Sequence, residues 1–243
     1  MKYVGSKKRL SKDLAPIIQS YINEGGYENY LEPFVGGANM IDKISCKNKY
    51  GSDSHKYLIA LLKQAQIDTE VFPDTIDEDD YKWLKSHYQD DDCPYPDWYV
   101  GLIGFSSFGA KFFDSYPRGY KSDGVTKRDM VNEAIRNVKR QAPNLKDIKF
   151  ACVDFRDIKP VKNFVIYCDP PYKSTITYKG TDAFPYDEFY EWCHKMSKDN
   201  VVLISEYDMP DGFECIWSKD LLCSINNVSG VSSNRTEKLF ICK

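Results

Sequence analysis

Phe164-Val165-Ile166-Tyr167-Cys168-Asp169-Pro170-Pro171-Tyr172 is the stretch on which the reading of this chain turns. Five apolar residues in a row describe a buried strand, and the acidic residue that follows sits at its end. Each proline fixes its own φ near −65° and lacks an N–H, so the turn after Asp169 is stiff and its carbonyls are left to accept. A carboxylate, carbonyl acceptors and the aromatic face of Tyr172 together suit a flat, amine-bearing ring such as a nucleobase.

Working outward from this strand, the chain alternates strands and helices on both sides of one long interruption. Ser11 to Asn23 places Leu14, Ile17, Ile18, Tyr21 and Ile22 on one helical face, with Ser11 as N-cap and Gly25-Gly26 as the stop. Tyr30 to Phe34 reads as a short strand entering the turn Val35-Gly36-Gly37, after which Ala38 to Ile44 reads as a helix. Lys49 to Asp53 is the next strand, followed by a helix that buries Leu58, Ile59, Leu61 and Leu62. Strands resume at Lys149 to Val153 and Phe164 to Cys168, then a helix at Asp187 to Lys198 and a strand at Val201 to Ser205. Phe213 to Trp217 and Lys238 to Cys242 are read as an antiparallel hairpin at a sheet edge, joined by the Ser/Asn/Gly-rich loop from Asn226 to Asn234. Asn234-Arg235-Thr236-Glu237 is read as a turn before the last strand, in preference to a role at the catalytic end of the sheet.

Between these halves, residues 67–144 break the alternation and read as an inserted, mainly helical lobe, leaving 1–66 and 145–243 as one α/β domain. The lobe opens acidic (Asp77-Glu78-Asp79-Asp80 and Asp90-Asp91-Asp92) and turns aromatic around Phe105, Phe108, Phe112 and Phe113, whose spacing predicts packing inside the lobe. It closes basic, with Lys111, Arg118, Lys121, Lys127 and Arg128 ahead of Arg136, Lys139 and Arg140. A second basic group lies at the N-terminus and includes Lys7 and Lys8. The net charge of −3 over 243 residues therefore averages over a polarised distribution. Such polarity suits a polyanion on one face, where these cations would touch phosphates without reading sequence. Arg118, between Pro117 and Gly119, is the candidate for reading a base.

The eight cysteines form no C-x-x-C pair and no Cys/His group at zinc spacing, so neither metal nor disulfide framework is expected. The three histidines are isolated and receive neither a metal nor a catalytic role. No apolar run approaches the ~18 residues of a membrane helix, and the reading is a soluble protein of a reducing cytoplasm.

Three elements upstream and downstream complete a ligand site. In Glu32-Pro33-Phe34-Val35-Gly36-Gly37 the glycines let backbone approach a ligand, and the predicted helix behind them would offer its positive end. Asp53, at the end of the second strand, is by itself a helix N-cap; with the glycine turn it becomes a holder of ribose hydroxyls. Asp154-Phe155 follows the third strand, where Asp154 could accept from an adenine amine and Phe155 could pack on the ring or simply fill the core.

The order Tyr3-Val4-Gly5-Ser6-Lys7, Leu31 to Gly37, Asp53, a long insertion, Asp154-Phe155 and Asp169-Pro170-Pro171-Tyr172 resembles the Dam-type DNA adenine-N6 methyltransferases, in a compact phage-like form, along essentially the whole chain. The resemblance implies a Rossmann-like methyltransferase fold, α/β with a mixed seven-stranded sheet and an antiparallel C-terminal hairpin. It implies S-adenosyl-L-methionine as methyl donor, with Tyr3, Lys7, Glu32, Pro33, Phe34, Gly36, Gly37, Asp53, Asp154, Phe155 and Asp169 as its site. Asp169, Pro170, Pro171 and Tyr172 become the catalytic loop: acceptors for the N6 protons and a ring that stacks on an adenine flipped out of the duplex. Lys8, Lys111, Arg118, Lys121, Lys127 and Arg128 would face double-stranded DNA. A monomer or weak dimer, with a separate restriction endonuclease as partner, fits the same resemblance. Asp at position 169 favours adenine over cytosine N4 or a protein glutamine as the methyl acceptor. Members that read GATC carry an Arg- and Asn-bearing hairpin where this chain has Phe105 to Gly119, so that specificity does not transfer.

Overall fold

A computed structural model describes residues 1–107, 111–119, 124–172, 184–222 and 234–243. Phe108, Lys121 and the loop from Asn226 up to residue 233 lie outside the described residues. Seven strands form one sheet: β1 (Asn29–Glu32), β2 (Asn48–Asp53), β3 (Ile148–Cys152), β4 (Phe164–Cys168), β5 (Val201–Glu206), β6 (Phe213–Leu222) and β7 (Asn234–Cys242). Their spatial order is β3-β2-β1-β4-β5-β7-β6. The first five strands run parallel to one another, and β7 pairs antiparallel with both β5 and β6. This is the mixed seven-stranded sheet with an antiparallel C-terminal hairpin that the sequence resemblance implied.

Chain order fixes where a ligand can sit. From β1 the chain proceeds outward to β2 and β3, then returns to the other side of β1 for β4 and β5. The switch point is therefore the crevice between β1 and β4, at their carboxyl ends, and in open α/β sheets ligands bind there. In the parallel register Leu31 is level with Ile166, so Glu32 and the glycine turn emerge beside Tyr167 to Asp169.

Helices α1 (Ser11–Gly25), α2 (Lys56–Ile67) and α6 (Tyr186–Ser197) flank the sheet, and α3 (Glu78–His87), α4 (Asp97–Gly104) and α5 (Met130–Gln141) come from the insertion. Ser11 lies inside α1 rather than at its N-cap: Leu10 holds that position, and the Ser11 hydroxyl donates to the Lys8 carbonyl at 3.0 Å. The helix expected over Ala38 to Ile44 is absent apart from a 3-10 turn at Ile41–Lys43. Gly36 (φ 47°) and Ala38 (φ 54°) adopt left-handed backbone that cannot continue a right-handed helix. No helix N-terminus therefore backs the glycine turn, and any anion there must be met by side chains and single amides.

Residues Asn234 to Glu237 do not form a turn. They belong to β7, because β6 and β7 are longer than their apolar cores: the ladder runs on through Lys219↔Glu237 to Leu222↔Asn234. Backbone pairing carried the strands past the point where hydrophobic alternation stops.

One buried cluster joins the insertion to the sheet domain. Val100, Leu102 and Ile103 of α4, Val131, Ile135 and Val138 of α5, and Leu58, Leu61 and Leu62 of α2 share it. Phe105 is buried and reaches out of the insertion, packing on Tyr3 (ring centroids 5.5 Å) and His55 (5.1 Å). Phe113 packs within the lobe against Tyr81 and Tyr88. A second cluster on the other face of the sheet holds Phe155, Phe189, Trp192 and Met196.

Candidate active site

Strand β4 delivers Asp169 at the switch point. Its Oδ1 accepts from Lys7 Nζ at 2.8 Å, and the lysine is only 7 % exposed. Burial pushes the Asp169 carboxyl above its ordinary value, and the adjacent Lys7 ammonium opposes that rise. Lys7 gains more from this carboxylate and from Glu237 than burial costs it, so its own ionisation is moved up and it stays charged. The same ammonium lies 4.3 Å above the Tyr172 ring. Tyr172 is buried, turns its edge to Tyr207 (centroids 4.6 Å) and donates its hydroxyl to Glu237 Oε2 at 2.8 Å. Pro170 is buried, whereas Pro171 is exposed and its carbonyl accepts from the Tyr186 hydroxyl at 2.7 Å.

Strand β1 delivers Glu32 to the same place. It is 2 % exposed, accepts from the Tyr30 hydroxyl at 2.7 Å, and is pushed strongly up by burial. The nearby Asp169 adds to that rise. Two carboxyls so placed do not both ionise freely, so a bound cation would be attracted to this end of the sheet.

Asp53 links two turns. Its Oδ2 accepts from the Gly36 N–H at 3.1 Å and its Oδ1 from the His55 N–H at 3.0 Å, while His55 itself caps α2 through Nδ1. Asp53 is thus not the α2 cap but the tie between the glycine turn and that helix. An Asp53→Ala variant is expected to lose about 2 kcal/mol of stability in urea denaturation, because two backbone N–H groups lose their acceptor.

The glycines admit no side chain because Tyr3 and Asn39 already pack against the turn. A Cβ on Gly36 would meet the Tyr3 ring at 3.0 Å, and one on Gly37 would meet Asn39 Nδ2 at 2.7 Å and Tyr3 Cβ at 2.8 Å. Burial, together with the Asp53 and Asp169 charges, pushes the Tyr3 phenol upward, so Tyr3 stays neutral between the two carboxylates. Tyr3, Lys7, Glu32, Gly36, Gly37, Asp53, Asp169 and Tyr172 therefore converge on one crevice. Its carboxyl groups at the strand ends fit a cationic, ribose-bearing donor of the S-adenosylmethionine type.

Other predicted residues lie apart or are differently engaged. Phe34 and Phe155 pack against each other at 5.5 Å, with Phe155 3 % exposed in the second core cluster. Asp154 caps a 3-10 turn and pairs with Arg156 (Nε to Oδ1, 2.8 Å), which holds its carboxyl below the usual value. Arg118 pairs with Glu78 and Arg128 with Glu133, so neither guanidinium stands ready for a phosphate without first leaving a carboxylate. Lys8 and Lys127 are exposed.

Two further residues reach the site: Glu237, from the segment read as a turn in preference to a role at the catalytic end of the sheet, and Gln141, which carries no local sequence signal. Glu237 approaches from β7. Gln141, the last residue of α5, donates its amide to the carbonyls of Gly37 (3.1 Å) and Ala38 (2.8 Å), so the insertion itself braces the glycine turn. Among the described residues, no group of His, Cys, Asp and Glu side chains is arranged to hold a metal, and no helix is long and apolar enough to cross a membrane.

Residues 3–93 and 111–230 match the model of the D12 class N6 adenine-specific DNA methyltransferases. The chain is 22 % identical over 194 residues to the type II methyltransferase M.FokI of Planomicrobium okeanokoites, a match covering 72 % of this chain and 29 % of that protein. The chain thus spans under a third of the length of that relative. The N-methyltransferase NodS of Bradyrhizobium japonicum WM9 aligns over 97 % of this chain and 96 % of its own, at 9 % identity and a TM-score of 0.40. The family match takes in the N-terminal Tyr3 to Lys7 segment, the glycine turn and the Asp-Pro-Pro-Tyr loop alike, and the chain belongs to the D12 class of N6 adenine-specific DNA methyltransferases.

Proposed function

We propose that the chain transfers a methyl group from S-adenosyl-L-methionine to the N6 amine of an adenine flipped out of double-stranded DNA. The carrying observation is the half-buried Asp169 carboxylate at the end of β4, fixed by Lys7 and followed by the rigid Pro170-Pro171 turn. The donor supplies an electrophilic methyl on a sulfonium centre. Gly36 and Gly37 would give its methionine end close backbone approach, Asp53 would take its ribose hydroxyls, and Glu32 and Asp169 favour positive charge at this end of the sheet. Asp154 and Phe155 are the proposed adenine contacts of the donor, which requires Asp154 to share its oxygens with Arg156.

The N6 lone pair of adenine is delocalised into its ring and is a poor nucleophile. Acceptance of its protons by the Asp169 carboxylate and the Pro170 carbonyl turns the lone pair toward the methyl, and positioning supplies most of the remaining help. Tyr172 would stack on the extruded base, worth about 1–3 kcal/mol. Residues 67–144 would contribute the DNA-recognition surface, with Lys8, Lys111, Arg118, Lys121, Lys127 and Arg128 toward phosphates, while 1–66 and 145–243 carry the chemistry. A separate endonuclease would act on the same sites.

Incubation with methyl-labelled donor and either DNA or a protein extract tests this directly. Label in DNA, recovered as N6-methyladenine, is the expected result; label confined to protein, or to N4 of cytosine, would replace adenine as the acceptor.

A further inference from the structure

Glu237 is a glutamate 8 % exposed in the middle of a sheet, a costly place for a carboxylate unless a partner repays its desolvation. Its partner is the Tyr172 hydroxyl at 2.8 Å, 65 residues away in sequence. The strand register explains how it gets there. Lys238 is paired with Glu206 of β5, so Glu237 falls beside Tyr207, whose ring stands edge-on to Tyr172 at 4.6 Å. Among the described residues, Glu237 takes the Tyr172 hydroxyl, Lys7 lies 4.3 Å over one face of the ring, and Tyr207 packs perpendicular to it. A ring used only as a greasy stacking surface would need no anchor on its hydroxyl, and phenylalanine would serve as well.

We propose that Glu237 is a positioning residue for methyl transfer: by fixing the Tyr172 hydroxyl it sets the pitch of that ring, and through it the placement of the Asp169 and Pro170 acceptors on the rigid turn. This rests on the reading of Asp169 to Tyr172 as the transfer site. The long reach of β7 then has a purpose, since the strand that closes the antiparallel hairpin also brings the anchor to the parallel half of the sheet.

The test compares Glu237→Ala, Glu237→Gln, Tyr172→Phe and the Tyr172→Phe/Glu237→Ala double variant. Glu237→Ala and Tyr172→Phe are each expected to lower kcat by roughly ten- to a hundredfold, the effect of one lost charge-assisted hydrogen bond, with donor affinity within about threefold of wild type. Glu237→Gln keeps an acceptor oxygen and is expected to recover most of the rate. The double variant is expected to be no slower than Tyr172→Phe alone, because the two changes remove one interaction. Hydrogen exchange in the segment 164–172 should rise in Glu237→Ala and Tyr172→Phe and stay at the wild-type level in Glu237→Gln.

The proposal is overturned if Glu237→Gln is as slow as Glu237→Ala, or if the two losses multiply in the double variant; the carboxylate would then act on Lys7 and not on the phenol. Exchange unchanged in Glu237→Ala overturns it as well. Should the wild-type protein methylate no DNA, the transfer reading itself fails, whereas the exchange comparison still decides whether Glu237 holds the loop. If Glu237→Ala does not fold, Tyr172→Phe against Glu237→Gln gives the same decision.

Discussion

Asp169→Ala is expected to reduce methyl transfer by about a thousandfold or more, with donor binding and stability lowered as well because Lys7 loses its carboxylate. The magnitude follows from what the carboxylate does. In the proposed mechanism it is the acceptor that directs the amine lone pair, and removing one preorganised electrostatic group from an active site costs on the order of 10²–10³ in kcat, with proton acceptance adding further. The pH dependence carries a second signature. Asp169 must be ionised to accept, and burial raises its pKa, so activity falls as pH drops through a value above the ~4 of an ordinary aspartate. Lys7 works against that rise, and Lys7→Met is expected to move the acid limb of kcat/KM to still higher pH. A variant at position 169 with wild-type transfer would remove this residue from the mechanism.

Gly101→Ala is expected to be the most destabilising single methyl in the chain away from the site, at about 3 kcal/mol, which for a protein of this size lowers Tm by about 6–12 °C. Helix α4 crosses α2 at Gly101 so closely that a Cβ there would lie 2.2 Å from the backbone carbonyl oxygen of Tyr57 and 3.2 Å from Leu61 Cβ. Backbone cannot step aside as a side-chain tip can, so the helices must separate. Val100, Leu102 and Ile103, all nearly fully buried, would lose part of their packing. The consequence extends beyond stability, because α2 begins at the turn that Asp53 ties to Gly36. Scanning calorimetry of the purified variant measures the loss, and a Tm within 2 °C of wild type would mean that the close crossing is not tight in solution.

The insertion is more intimately joined to the sheet domain than a recognition lobe on a linker would be. Gln141 grips the glycine turn from α5, and Phe105 lies against Tyr3 and His55. Arg118 and Arg128 on the insertion's surface are held by Glu78 and Glu133, and any anion would have to compete with those carboxylates for them. Exposed ion pairs of this kind are worth little and exchange readily.

What the sequence by itself determined was everything carried by short-range pattern. The apolar run 164–168 is β4 residue for residue, the leucines of α2 are buried as their spacing demands, and the Asp-Pro-Pro-Tyr loop stands at the strand end where its composition put it. Local alternation and turn chemistry act within a few residues, so they are legible in one dimension. The tertiary structure decided the rest. Left-handed backbone at Gly36 and Ala38 removed the helix expected behind the glycine turn, and that choice is made by packing around Tyr3, Asn39 and Gln141. Lys7 on Asp169, Gln141 on Gly37 and Glu237 on Tyr172 join residues 162, 104 and 65 positions apart. Such pairs exist only because the sheet order sets β7 next to β5 and folds the N-terminus over the β1–β4 crevice, and no local pattern encodes that neighbourhood.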